Sequence, residues 1–163
     1  LADMMTYQEL KGEIKGKKVA WIGDANNMCN SYINASKQFE FDLSIATPKN
    51  FTPSLFKNTD GNISLTNDPK IAVKNADLVV TDVWASMGDE DKEEERKKIF
   101  KTLQVNKDLM SLANTDAIFM HCLPAHRGEE VTEEVLNSSA SVIWQEAENR
   151  LHAQKALLEY LLV

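Results

Sequence analysis

The sequence predicts an α/β protein: an open, mainly parallel sheet of about five strands with helices on both faces. Three observations carry this. Strand-sized apolar runs at residues 19–22, 43–46, 78–81, 117–120 and 141–144 are separated by stretches with helical spacing. The two kinds of segment alternate, and parallel strands need the right-handed crossovers that such helices supply. The length, 163 residues with 43% hydrophobic side chains, suits one compact core and predicts a single domain over residues 1–163.

The elements follow in order. The run 19–22 opens the sheet, and residues 28–39 after it have helical spacing; the run 43–46 comes next. Helical patterns at 53–57 and 69–75 lead to the strand 78–81. Residues 92–103 predict a helix whose Glu93–Lys97 and Glu94–Lys98 pairs, four apart, make a solvated face without chemistry. The strand 117–120, a helix over 130–136 and the strand 141–144 complete the sheet, a Rossmann-like three-layer arrangement. The last segment, 146–163, reads as one helix with Leu151, Leu157, Leu158, Leu161 and Leu162 on or near an apolar face. Such an ending implies a surface that something covers. No repeat, low-complexity tract or Pro/Gly-rich linker interrupts the pattern.

Composition narrows the partners. Eighteen basic against 25 acidic side chains give a net charge of −7, which repels nucleic acid and anionic membrane surfaces. No apolar run approaches the ~18 residues needed to cross a bilayer, and the N-terminus lacks the signature of a signal peptide. The two cysteines, Cys29 and Cys122, lie far apart with no metal-ligand spacing around either, so the expected setting is reduced and cytoplasmic, with no metal. Leu1 in place of Met suggests a chain that begins inside a longer product or follows processing.

Ligands of such sheets collect beyond the carboxyl ends of the strands, so the residues there are the candidates. The first strand runs into Gly23-Asp24-Ala25-Asn26-Asn27, where a dinucleotide fold would carry three glycines; one is present. That disfavours a nucleotide-dependent oxidoreductase. Asn26 and Asn27 either cap the following helix or offer an amide to a small zwitterion's carboxylate. Asp82 follows the strand 78–81, either as a structural cap for the loop or as a carboxylate facing an amine, with Ser86, the Met87 backbone and Gly88 completing a binding loop. The strand 117–120 delivers Met120-His121-Cys122-Leu123-Pro124-Ala125-His126-Arg127-Gly128, the densest cluster of reactive types. Leu123-Pro124 is a candidate cis bond. Arg150 is either a surface helix residue or a permanently charged oxyanion donor.

Together, Asp82-Val83-Trp84-Ala85-Ser86-Met87-Gly88, His121-Cys122-Leu123-Pro124 and Glu148-Asn149-Arg150 resemble, in order and spacing, the second domain of ornithine carbamoyltransferases. The resemblance implies that Asn27, Asp82, Ser86 and Met87 bind L-ornithine, and that Cys122, Leu123 and Arg150 face the carbamoyl group of carbamoyl phosphate. Asp82, Cys122 and Arg150 would be the catalytic residues, with His121 and His126 shaping the turn. It also implies no cofactor, a homotrimeric full-length protein, and a place in arginine metabolism. The family's phosphate-binding Ser-Thr-Arg-Thr loop and His-Pro-x-Gln motif are absent from this sequence, so the chain alone is expected to be inactive. A putrescine or acetylornithine transcarbamylase and a non-catalytic amino-acid-binding module are the alternatives.

Overall fold

The sheet is assembled from short strands whose side chains divide by parity. β1 (Lys18–Ile22), β2 (Asp42–Ala46), β3 (Ile63–Thr66), β4 (Leu78–Thr81) and β5 (Ile118–His121) form one parallel sheet in the order β3-β2-β1-β4-β5. The computed structural model describes residues 1–57, 61–85 and 93–163. Successive side chains leave opposite faces of a strand. Val19, Trp21, Leu78, Val80, Ile118 and Met120 therefore enter one core layer, closed by α1 (Ala2–Lys11) and α2 (Asn27–Phe39). Ala20, Ile22, Val79 and Phe119 enter the other, beneath α3 (Pro69–Val73), α4 (Glu93–Phe100), α5 (Lys107–Met110) and α6 (Glu133–Leu136). Burial on both faces explains why the strands read as continuous apolar runs.

Polar side chains fix where the helices begin. Asn26, Asp68, Asn106 and Thr132 each accept a hydrogen bond from a backbone N–H in the first turn of α2, α3, α5 and α6, and Pro69 suits the start of α3. The last helix, α7 (Ile143–Leu162), lies against α1 and β5. Its buried Asn149 donates to Thr6 Oγ1 (2.9 Å) and to the Glu9 carboxylate (2.8 Å), stitching α7 to α1. Beyond that contact Leu158, Tyr160, Leu161 and Leu162 stand exposed. No helix among the described residues is long and apolar enough to cross a membrane.

Three sequence expectations are corrected. Residues 141–144 are not a strand: Ser141 makes a single bridge to Phe119, and α7 starts at Ile143 with Trp144 71% exposed. Its run of apolar residues is too brief to outweigh the helix-forming Gln-Glu-Ala-Glu stretch behind it. The fifth strand is instead β3, whose Ile-Ser-Leu-Thr alternation suits a sheet edge with one wetter face. Residues 53–57 hold only a turn, closed by Phe56 N–H on the Pro53 carbonyl at 3.1 Å. The helix expected over 130–136 begins at Glu133, after the Thr132 cap.

Candidate functional site

Beyond the carboxyl ends of β1, β4 and β5 lies a cleft of about 510 Å³. Asn27, Asp82, Cys122, Leu123 and Arg150, from four separate stretches of chain, all line it. Ser86 and Met87 fall outside the described residues. The sequence reading missed two further lining acids, Asp3 on α1 and Glu146 on α7.

Asp82 sits at the centre. Strand β4 ends one residue before it, and its side chain is 7% exposed. Its Oδ1 accepts the Val83 N–H (2.8 Å) and the Cys122 thiol (3.1 Å), and its Oδ2 accepts the Asn26 amide (2.7 Å). Asn26 also caps α2 through its Oδ1, which accepts the Cys29 N–H at 3.0 Å. One side chain thus fixes both the helix start and the carboxylate, while Asn27, the first helical residue, is exposed to the cleft. Gly23, at φ 136, supplies a backbone conformation in the turn after β1 that a side chain would strain.

Arg96 braces the same corner from α4. Its guanidinium pairs with Asp24 at 2.5 Å, donates through Nε to the Trp84 carbonyl, and lies 5.2 and 5.1 Å from the ring centroids of Phe51 and Phe100. Burial raises the Asp24 carboxyl above its ordinary range, and Arg96 pulls it back. The turn after β1 and the exit of β4 are therefore tied to each other through Arg96, by a largely buried ion pair on one side and a hydrogen bond on the other.

Cys122 begins the turn after β5. Burial pushes its thiol well above the ordinary range, and the neighbouring Asp82 carboxylate pushes the same way. It is a hydrogen-bond donor to Asp82. His121 supports the turn. Its Nδ1 accepts the Leu123 N–H at 2.9 Å, which places the ring hydrogen on Nε2, 3.1 Å from Glu130 Oε1. The same Glu130 oxygen accepts the His126 N–H at 2.6 Å. Leu123 adopts φ 52, in the left-handed region, and its bond to Pro124 is cis. A branched residue there is uncommon and fits a turn shaped for a task beyond packing.

On α7, the Glu146 carboxyl is buried and its Oε2 accepts the His121 N–H at 2.8 Å. Burial foremost, then Asp3, pushes it up to about 8. Asp3 in turn accepts the Tyr32 hydroxyl at 2.8 Å. Arg150, one turn further on, is exposed on the cleft wall. Among the described residues, Asp82, His121 and Cys122 bring possible ligand atoms within 4.8 Å of one another, as do His126, Glu129 and Glu130. In the first group each side chain is already engaged in the hydrogen bonds above.

Residues 15–161 match the family model described as aspartate/ornithine carbamoyltransferase, Asp/Orn binding domain. The chain belongs to the aspartate/ornithine carbamoyltransferase family. It is 56% identical over 164 residues to an ornithine carbamoyltransferase of Hydrogenovibrio crunogenus, covering 99% of this chain and 54% of that one. To the enzyme of the same name from Nitrosococcus oceani it is 57% identical over 165 residues, again spanning 54% of the relative. The chain thus spans about half the length of the curated relatives it matches. The crystal structure of ornithine carbamoyltransferase from Burkholderia thailandensis superposes with a TM-score of 0.89 at 47% identity, over 99% of this chain and 53% of that one. That from Thermus thermophilus gives 0.90 at 40% identity, over 99% and 54%. These similarities show the α/β, Rossmann-like fold and place residues 15–161 in the family's Asp/Orn-binding domain.

Proposed function

We propose that this chain forms the L-ornithine-binding domain of an ornithine carbamoyltransferase, transferring the carbamoyl group of carbamoyl phosphate to the ornithine side-chain amine and giving citrulline and phosphate. The observation that carries the reading is the cleft in which Asp82, held by three donors, faces Asn27 and Arg150 across the ends of β1 and β4. A buried carboxylate fixed in this way is an acceptor prepared for a cationic or neutral amine. The amine must be neutral to attack the carbamoyl carbon, and Asp82 would orient it by accepting its hydrogen bond. Cys122, donating to Asp82, would hold that carboxylate rather than act as nucleophile, since direct attack by the amine needs no acyl-enzyme.

As the tetrahedral centre forms, negative charge grows on the carbamoyl oxygen. Arg150, permanently cationic on the cleft wall, would stabilise that charge more than the ground state, with Leu123 and Cys122 beside it. Ser86 and Met87 would receive the α-amino and α-carboxylate groups. No cofactor or metal is required by these steps. The chain carries no Ser-Thr-Arg-Thr or His-Pro-x-Gln segment to hold the phosphate, so turnover belongs to a longer protein, for which we propose a homotrimer in the cytoplasm. The free thiols Cys29 and Cys122 suit a reducing compartment, and the net charge of −7 argues against nucleic-acid or membrane partners.

Calorimetric titration of the chain with L-ornithine tests the reading. Wild type should give a saturable heat and Asp82→Ala should lose at least tenfold in affinity, about 1.4 kcal/mol. Equal heats from both would remove Asp82 from the site. Citrulline formation by the purified chain alone would refute the assignment of the phosphate grip to another part of the protein.

A further inference from the structure

Glu146 is a buried acid that accepts the His121 backbone N–H through one oxygen and has no part in the steps above. Its side chain lines the ligand cleft together with Asp3 and Asp82, while Arg150 is the one Lys or Arg side chain among the lining residues. The groups around it come from every neighbouring element. Asp3 stands on α1, with Tyr32 of α2 bonded to it and Leu1, which carries the terminal amine of this chain, also on the cleft wall; Asp82 follows β4; Cys122 follows β5; Arg150 lies four residues along α7. The ring of His121 is turned to Glu130, so only the His121 backbone N–H reaches Glu146.

Three crowded, mostly buried carboxyl groups facing one guanidinium cannot all ionise without cost. Asp82 has three donors to stabilise its negative form and Asp3 has the Tyr32 hydroxyl, whereas the Glu146 side chain has the single His121 N–H to offset deeper burial. The hydrogen therefore belongs on Glu146 in the empty cleft. A positive charge entering the cleft reverses the balance, because it favours the ionised carboxylate.

We propose that Glu146 is a proton-linked specificity residue of the ligand cleft: its carboxyl group keeps its hydrogen while the cleft is empty and releases it to solvent when a cationic amine enters. In that step the Glu146 O–H bond breaks, the hydrogen leaves as a hydrated proton, and the electron pair stays on the carboxylate facing the ligand. The shift of the Glu146 carboxyl to about 8 supports the empty-state half of the cycle. The consequence for recognition is selection. An amino acid with a cationic side chain gains a third carboxylate on entry, whereas an apolar one of the same length meets a neutral acid and gains none. This inference rests on the reading of the cleft as an ornithine site and adds to it a residue and a proton count; it concerns entry of the ammonium form, which must still lose its own proton before the attack described above.

Titration calorimetry of the 163-residue chain at about pH 7, in buffers of different ionisation enthalpy, counts the protons exchanged. With L-ornithine, wild type should release close to one proton per ligand. Glu146→Gln should release none while still giving an ornithine heat, and L-norvaline, which has the same carbon chain and α-amine without the side-chain amine, should release none from either. Equal release from wild type and Glu146→Gln would place the proton on the ligand or another group and overturn the proposal. Should Glu146→Gln fail to fold, carbon-detected NMR of the wild-type carboxyls decides. A Glu146 signal that titrates near 8 in the empty chain, and lower with saturating ornithine, supports it; one that titrates like an exposed Glu overturns it. Ornithine heat without proton release keeps the ornithine site and removes only the role of Glu146. No ornithine heat at all removes the ligand and the release together.

Discussion

Replacing Asp82 by Asn keeps the shape of the side chain and changes which atoms can accept. The wild-type carboxylate accepts three hydrogen bonds, from Val83 N–H, Cys122 Sγ and Asn26 Nδ2. An amide oxygen at Oδ1 retains the first two. Its NH₂ then faces the Asn26 NH₂ at the 2.7 Å that now separates donor from acceptor. Turning the Asn26 amide over relieves the clash but points NH₂ at Cys29 N–H, losing the cap of α2. The two outcomes cost about 1–3 kcal/mol for an unmade buried hydrogen bond or about 0.5–2 kcal/mol for a lost cap. Urea denaturation should therefore show Asp82→Asn destabilised on the order of 1–3 kcal/mol. The pair Asn26→Asp with Asp82→Asn exchanges acceptor and donor, restores both bonds, and should recover most of the stability. Ornithine affinity should stay low in that pair, because the charge has moved to the wrong strand end. A single variant as stable as wild type, or a pair no better than the single, would refute this account of how the carboxylate is held.

Three other outcomes follow from the same geometry. Arg96→Met strands Asp24 at 13% side-chain exposure without its guanidinium, and thermal unfolding should report a loss of about 3 kcal/mol; Arg96→Lys should lose less. The Cys122 thiol, pushed up by burial and held on Asp82, should react with iodoacetamide at mildly alkaline pH at least tenfold more slowly than free cysteine, and Asp82→Ala should speed it. Glu146 makes stability depend on pH. Between the ordinary 4.5 and about 8 the unfolded chain has lost this proton while the folded chain keeps it. Its contribution therefore falls as pH rises through that window and levels off above it. Glu146→Gln should flatten this part of the profile and be more stable than wild type at the alkaline end, by on the order of a few kcal/mol in urea titrations.

The strands that cross the middle of the sheet were legible because burial on both faces writes an uninterrupted apolar run. At the edges that rule weakens. β3 has only Ile63 and Leu65 to mark it, and residues 141–144 hold apolar side chains that serve a bridge and a helix start instead. The ligand cleft divides in the same way. Asp82 and Cys122 could be singled out because each directly follows an apolar strand of a parallel sheet, where the topology leaves side chains facing ligand. The choice between capping and binding for Asn26 could not be made from sequence, and the structure shows why: one amide caps α2 with its oxygen and holds Asp82 with its nitrogen.

Asp3 and Glu146 carried no such mark. Asp3 lies on a helix between apolar neighbours with no strand end beside it, and nothing in the local pattern separates Glu146, buried, from Glu148, exposed two residues on. Their meeting depends on the packing of α7 against α1, which Asn149 enforces through Thr6 and Glu9 at opposite ends of the sequence. The same contact brings Arg150 and Asp3 to the one cleft. The cleft's wall and charge are therefore shared: the α1–α7 seam brings Asp3, Glu146 and Arg150, and the exit of β4 brings Asp82. Loosening the seam by Asn149→Ala should therefore lower both the ornithine affinity and the proton count of binding, each read by titration calorimetry.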